Sequence, residues 1–190
     1  MEQTNLNIPV LALRGLTVFP GQTTGFDVER EISMLALNNA MEEGKDVFLV
    51  TQRELAVTRP EEKDLYTIGT IAHVMQIIKT SDSTVRVLVR GLGKGRIHRI
   101  WQTKPFLQAN VVLLEDDFPG RKTSRVEAVM RQTYAIFGEY QDMVPDLPEE
   151  VVANVLDCED PGKLADYIGY SINLRPNDRQ RILEELNPVK

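Results

Sequence analysis

The chain has 190 residues, 42% of them apolar and 26% charged, with 22 Lys and Arg against 28 Asp and Glu for a net charge of −6. That length suits one large domain or two small ones around a real core, and the balance excludes wholesale disorder and a bulk-basic nucleic-acid binder. Its single cysteine, Cys158, excludes an intrachain disulfide and fits a reducing, cytosolic setting, while no apolar run approaches the length of a membrane span and residues 1–7 are too polar for a signal peptide.

The first two-thirds of the chain read as strands. Residues 8–13 (IPVLAL) are apolar and end at Arg14-Gly15. Thr17-Val18-Phe19 runs into Pro20-Gly21, where Pro presets φ and Gly accepts a positive one, which predicts a turn. Residues 23–28 form the next strand. Between 30 and 43 the period lengthens: Ile32, Leu35, Ala36, Asn39 and Ala40 share one helical face, and Gly44 supplies the stop. Residues 46–51 read as a buried strand, and 53–66, charged and containing Pro60, as loop with one helical turn. The clearest hairpin pairs 68–79 with 84–92, in which Val85, Val87 and Val89 alternate with Arg86, Leu88 and Arg90. Its polar turn at 80–83 lacks the Gly of a two-residue primed turn, so a longer loop is expected. Further strands at 97–101 and 106–114 are split by Lys104-Pro105.

The periodicity turns helical after Phe118-Pro119-Gly120. Val126, Val129, Met130, Thr133, Phe137 and Tyr140 make one apolar stripe. Pro148 opens a second helix with Glu149 and Glu150 in its first turn. Asp160-Pro161 opens a third, with Leu164, Tyr167, Ile168 and Ile172 facing inward. A fourth starts near Pro176, carries Ile182, Leu183 and Leu186, and ends by Pro188. The expected organisation is α+β: a β-rich part over residues 1–118 and a helical bundle over 119–190.

Little in this pattern points to chemistry. No phosphate-binding loop motif occurs, and Gly91, Gly93 and Gly95 around Lys94 are followed by a strand pattern, which makes them turn or bulge glycines. His73 and His98 lie far apart on strands and read as surface or packing residues, not metal ligands. Asp157, Glu159 and Asp160 surround Cys158 and disfavour a thiolate. One local asymmetry stands out. Residues 83–114 contain no acid but hold Arg86, Arg90, Lys94, Arg96, Arg99 and Lys104, with Trp101 and Phe106 nearby. Two readings stay open: a nucleic-acid interface built on Arg86, Arg90, Lys94 and Arg96, or a solvated sheet face whose charges discourage edge pairing. The second is preferred.

The blocks IPVLALRGLTVFPG (8–21), VFLVTQ (47–52), DLYTIGTIA (64–72), VRVLVRGL (85–92) and DPGKLADYI (160–168), collinear over nearly the whole chain, resemble the N-terminal domain of Lon proteases. Ala12, Glu29, Ser83 and Lys94 stand where that family usually has Pro, Gly, Gly and Arg. The resemblance implies a PUA-like β pseudo-barrel with one helix, followed by a helical bundle. It implies a domain that recruits unfolded or damaged proteins. In the family this domain precedes ATPase and Ser–Lys protease modules of a hexameric, ATP- and Mg²⁺-dependent, cytoplasmic enzyme. The chain itself is then expected to be no enzyme and to need no cofactor, with no membrane partner and nucleic acid only as the lesser alternative, on a free-standing module. A receptor for unfolded chains needs an apolar surface with a polar rim. The candidate surface is Phe19 and Pro20 with Arg30, Glu31, Met34 and Leu35, although Met34 and Leu35 also fit core-facing positions.

Overall fold

The computed structural model describes residues 5–81, 83–116 and 123–190. In β1 (Asn5–Leu13) every side chain from Ile8 onward is buried, because the strand is covered on both faces. Alternation splits them: Ile8, Val10 and Ala12 enter one apolar cluster, Leu11 and Leu13 another. β3 (Asp46–Thr51) lies parallel to β1 and divides in the same way, Val47 and Leu49 against Phe48 and Val50. This explains why both read as continuous apolar runs.

The strand order is β2-β5-β4-β3-β1-β6, with β2 at Thr23–Val28, β4 at Ile68–Lys79, β5 at Val85–Gln102 and β6 at Gln108–Leu114; β6 also pairs with β5. The sheet therefore closes on itself at one end. β5 makes this closure. Its first half pairs with β2 and β4, and its second half with β6. The sequence reading placed two strands here, 84–92 and 97–101; the structure has one continuous strand of 18 residues. Gly91, Gly93 and Gly95 do not end it. They flank a bulge at Leu92 and leave room for close neighbours. A Cβ on Gly91 would collide with the carbonyl oxygen of Phe19, and one on Gly95 would lie 2.6 Å from Val111 Cγ1. The predicted turn is present: Gln22 N donates to Phe19 O at 3.2 Å, and Gly21 has φ +77°.

α1 (Glu31–Glu42) packs on the sheet, but its buried face is Ser33, Ala36, Leu37 and Ala40. The expected face, which included Leu35, is rotated; Leu35 is exposed. Ala36 and Ala40 of the expected face are buried and Ile32 packs against the sheet, but Leu37 and Ser33 take the place of Leu35 in the covered stripe.

The helices after residue 123 follow the predicted stripes. α2 (Ser124–Met143) buries Val126, Met130 and Phe137, capped by Thr123, whose hydroxyl accepts from Val126 N at 3.3 Å. α3 (Glu149–Asp157) contributes Val155 and α4 (Pro161–Ser171) Leu164 to the same cluster. Asp160 caps α4, its carboxylate accepting from Lys163 N at 2.9 Å. The expected boundary at Phe118 lies outside the described residues. α5 (Pro176–Glu184) returns to the strands: Gln180 Nε2 donates to Ile68 O at 3.0 Å, and Leu183 packs with Phe19 and Ile68. The architecture is a mixed α+β fold, a six-stranded, partly closed sheet joined to a helical bundle.

Two candidate site residues are corrected here. Phe19 is fully buried, under Leu183 and beside the Tyr170 ring at 6.2 Å, so it is a hinge of the core between sheet and helices and not a surface residue. Lys94 is also buried, and its ammonium lies 3.0 Å from Asp166 and 3.5 Å from Asp116. It ties β5 to α4 and is closed to a nucleic acid.

Candidate functional site

Bulges in the hairpin create the site. Where β4 and β5 slip register, Met75 and Leu92 are the extra residues, and both stand out from the sheet, 50% and 52% exposed. They form one wall of an open cleft of about 770 Å³ between strands and helices. The opposite wall comes from α3 and α4: Asn154, Cys158, Lys163, Tyr167 and Tyr170. Pro20, Gly21 and Gly91 line it as well. The Tyr167 and Tyr170 rings meet edge to face at 5.1 Å, and Tyr167 Oη accepts from Asn154 Nδ2 at 2.9 Å. Burial, reinforced by Tyr167, Asp166 and Cys158, pushes the Tyr170 hydroxyl up to about 12, so it stays a neutral donor. Arg90 and His73, cross-strand neighbours, supply polar edges; His73 Nδ1 lies 2.7 Å from Asp46 Oδ1.

Beneath the cleft sits the Lys94 cluster. Lys94 Nζ also reaches the carbonyl of Glu185 at 3.4 Å. Burial raises the Asp166 carboxyl to about 6, against the opposing pull of Lys94 and with help from Asp116 and Asp160. Cys158 lines the cleft, but burial pushes its thiol up, away from the reactive thiolate. No group of three or more His, Cys, Asp or Glu among the described residues is placed to hold a metal ion. Nor do the residues present fit a nucleotide: the glycines around Lys94 lie inside a strand and its ammonium is engaged by carboxylates. Apolar walls with a polar rim suit binding of an extended, partly apolar ligand.

The structure divides the sequence-derived candidates. Pro20 lines the cleft. Arg30 lines a second, smaller pocket, Glu31 and Leu35 are exposed on α1, and Met34 is half-buried against the sheet core. Of the basic set, Arg86 and Arg96 are exposed, Arg86 lying 3.4 Å from Asp27, and Arg90 joins the cleft. Sequence reasoning passed over Met75, Leu92, Tyr167 and Tyr170. Leu92 between two glycines is the one local signal; Met75 fits plain alternation, and Tyr167 fits the inward stripe of its helix.

Residues 7–190 match the family described as the ATP-dependent protease La (LON) substrate-binding domain. The Lon protease of Syntrophomonas wolfei subsp. wolfei is 40% identical over 183 residues, covering 96% of this chain and 22% of that protein. The Lon protease of Clostridioides difficile is 36% identical over 194 residues, covering 98% of this chain and 25% of its own length. The chain thus spans about a quarter of the relatives it matches. Among solved structures, the N-terminal domain of Mycobacterium avium complex Lon protease superposes with a TM-score of 0.75 at 18% identity, covering 96% of this chain and 92% of that one. A Lon N-terminal domain protein from Xanthomonas campestris gives 0.65 at 14% identity, with the same coverage. No helix among the described residues is long and apolar enough to cross a membrane.

Proposed function

The chain belongs to the Lon substrate-binding domain family, and from that premise we propose that it holds unfolded or damaged polypeptides in the cleft between its strands and helices. The observation that carries this reading is the exposure of Met75 and Leu92, on adjacent strands, opposite Tyr167 and Tyr170. Unfolded chains expose apolar side chains; folded ones hide them. Met adapts to varied partners because it is flexible and polarizable. The grip has to stay weak enough for release, and several copies on a ring convert weak contacts into useful avidity. On this reading the parent is a cytoplasmic, hexameric, ATP- and Mg²⁺-dependent serine protease whose ATPase and Ser–Lys modules follow this domain. The domain itself performs no chemistry.

The test is a titration of the 190-residue chain with a carboxymethylated, unfolded protein and with the same protein folded. The unfolded form is expected to bind at least tenfold more tightly. Met75→Asp with Leu92→Asp places charge on the apolar wall without touching the core, and is expected to weaken binding by about tenfold or more, given ~1.5 kcal/mol or more for each apolar side chain fully removed from water. Equal affinity for folded and unfolded forms, or a double variant with intact fold and unchanged binding, overturns the reading.

A further inference from the structure

The ring of strands closes at one end and gapes at the other. β6 pairs with residues 5–9 of β1, and Val10 N donates to the carbonyl of Leu107 at 2.8 Å just before β6, so only beyond Val10 does the outer edge of β1 lack a ladder partner among the described residues. β2 stands last in the strand order, and no strand among the described residues pairs with its outer edge. A pocket of about 190 Å³ lies where these edges approach, walled by Leu11, Leu13 and Leu16 from one side and Phe26 and Val28 from the other. Arg14 and Arg30 complete it.

Arg30 is fixed in place. Its Nη2 donates to Oε1 of the buried Gln52, whose Nε2 is held in turn by the carbonyls of Glu54 at 3.3 Å and Val57 at 2.9 Å. Arg30 is half-buried; its Nη1 is the buried end of the guanidinium and has no hydrogen-bond partner among the described residues. An unpaired buried guanidinium N–H is costly and needs an acceptor. Burial lowers the Arg30 pKa, and the neighbouring Arg14 charge lowers it further. Neither arginine has a carboxylate partner among the described ion pairs. Of the two acids at the pocket, Asp27 is engaged by Arg86 at 3.4 Å and Glu29 is exposed. Two guanidinium forks beside apolar walls, in a space too small for a helix or a base pair, suit a small planar or tetrahedral anion; for a polypeptide ligand that anion is a carboxylate, with the neighbouring apolar side chain against the walls.

We propose that this pocket binds the carboxylate of a polypeptide, with an adjoining apolar side chain against Leu16 and Phe26. The chain then grips its cargo at two places: the cleft reads apolar content and the pocket reads charge. The proposal rests on the polypeptide-binding reading only for the class of ligand, since the two sites share no lining residue.

The probe is an N-acetylated, fluorescently labelled hexapeptide of alternating Val and Ser ending in Leu, prepared as free acid and as C-terminal amide, with a third amide ending in Glu. Fluorescence anisotropy with the 190-residue chain is expected to show the free acid binding about tenfold more tightly than the Leu amide. Strong binding of the Glu amide identifies any carboxylate as the ligand; its failure identifies the chain terminus, and either result supports the pocket. Arg30→Gln is expected to abolish the difference between acid and amide. Arg14→Gln, a change at an exposed residue that leaves the core intact, is expected to reduce it several-fold and to flatten its salt dependence. Met75→Asp with Leu92→Asp is expected to leave the acid–amide difference unchanged, which separates this site from the cleft. Equal binding of acid and amide, no binding of either, or a difference that survives both arginine substitutions overturns the proposal.

Discussion

Single residues at the junction between strands and helices carry consequences out of proportion to their size. Asp166 illustrates the sign. Its folded pKa, raised to about 6 by burial, lies above the ordinary 3.8. Between those values the folded chain holds a proton that the unfolded chain lacks. The protonated form therefore contributes stability that is complete below about pH 4 and lost as pH rises through about 6. The side chain is nearly buried, so the effect is on the order of 2–3 kcal/mol. Urea unfolding from pH 4 to 7 is expected to show the wild type losing ground against Asp166→Asn across that window. A difference that stays flat with pH would place the carboxyl in water. Lys94 and Phe19 show how far a residue's meaning depends on its surroundings. Lys94 sits in an acid-free, basic stretch of sequence, yet its partners Asp116 and Asp166 arrive from 22 and 72 positions away. Phe19, beside a Pro-Gly turn, has the local marks of a surface loop and becomes core only because Leu183 covers it.

Elements were legible where one repeating pattern governed them. The strands at 23–28, 46–51 and 68–79 end where their turn residues and period predict, and the α2 stripe faces the core it was expected to face. The pattern was misleading where geometry, not hydropathy, decided. Glycines that suggest an end to β5 instead admit the Phe19 carbonyl, Phe48 and Val111 beside an unbroken strand. In α1 the covered stripe shares Ala36 and Ala40 with the expected one but turns toward Ser33 and Leu37, leaving Leu35 exposed, a shift set by where the strands lie beneath it. α5 is a weak helix by composition, with polar residues over its first turns, and docks through Gln180 and Leu183. Its worth is in that contact. Leu183→Ala, at a residue 1% exposed, is expected to cost about 3 kcal/mol in denaturant unfolding. A loss below about 1 kcal/mol would show that α5 contributes little to holding helices against strands.

At the scale of the molecule, the interface between strands and helices holds the fold together and also lines the proposed binding cleft. The same junction that buries Phe19, Ile68, Leu183 and Lys94 opens on its other side into the cleft lined by Met75, Leu92, Tyr167 and Tyr170. On the proposed reading, binding in the cleft and docking of the helices are coupled. A fragment ending at residue 116 exposes Phe19 and Ile68, strips Lys94 of Asp166, and loses one wall of the cleft. It is expected to melt well below the full chain in a thermal scan, and to lose affinity for unfolded protein. A fragment that melts with the full chain would make the helices a separate body rather than part of the receptor.

The amino-acid sequence alone determined the α+β class, the placement of most strands and helices, the turn at Pro20-Gly21 and the Asp160 cap of α4, because each depends on side chains within one or two turns of chain. The collinear blocks carried the family. Tertiary structure alone decided the site. Met75 and Leu92 are exposed through bulges set by cross-strand register, Tyr167 and Tyr170 face them only once α4 is docked, and Arg30 meets Gln52 and the pocket between β1 and β2 only in the folded chain. Register, docking and closure are relations between residues distant in sequence, and no local pattern records them.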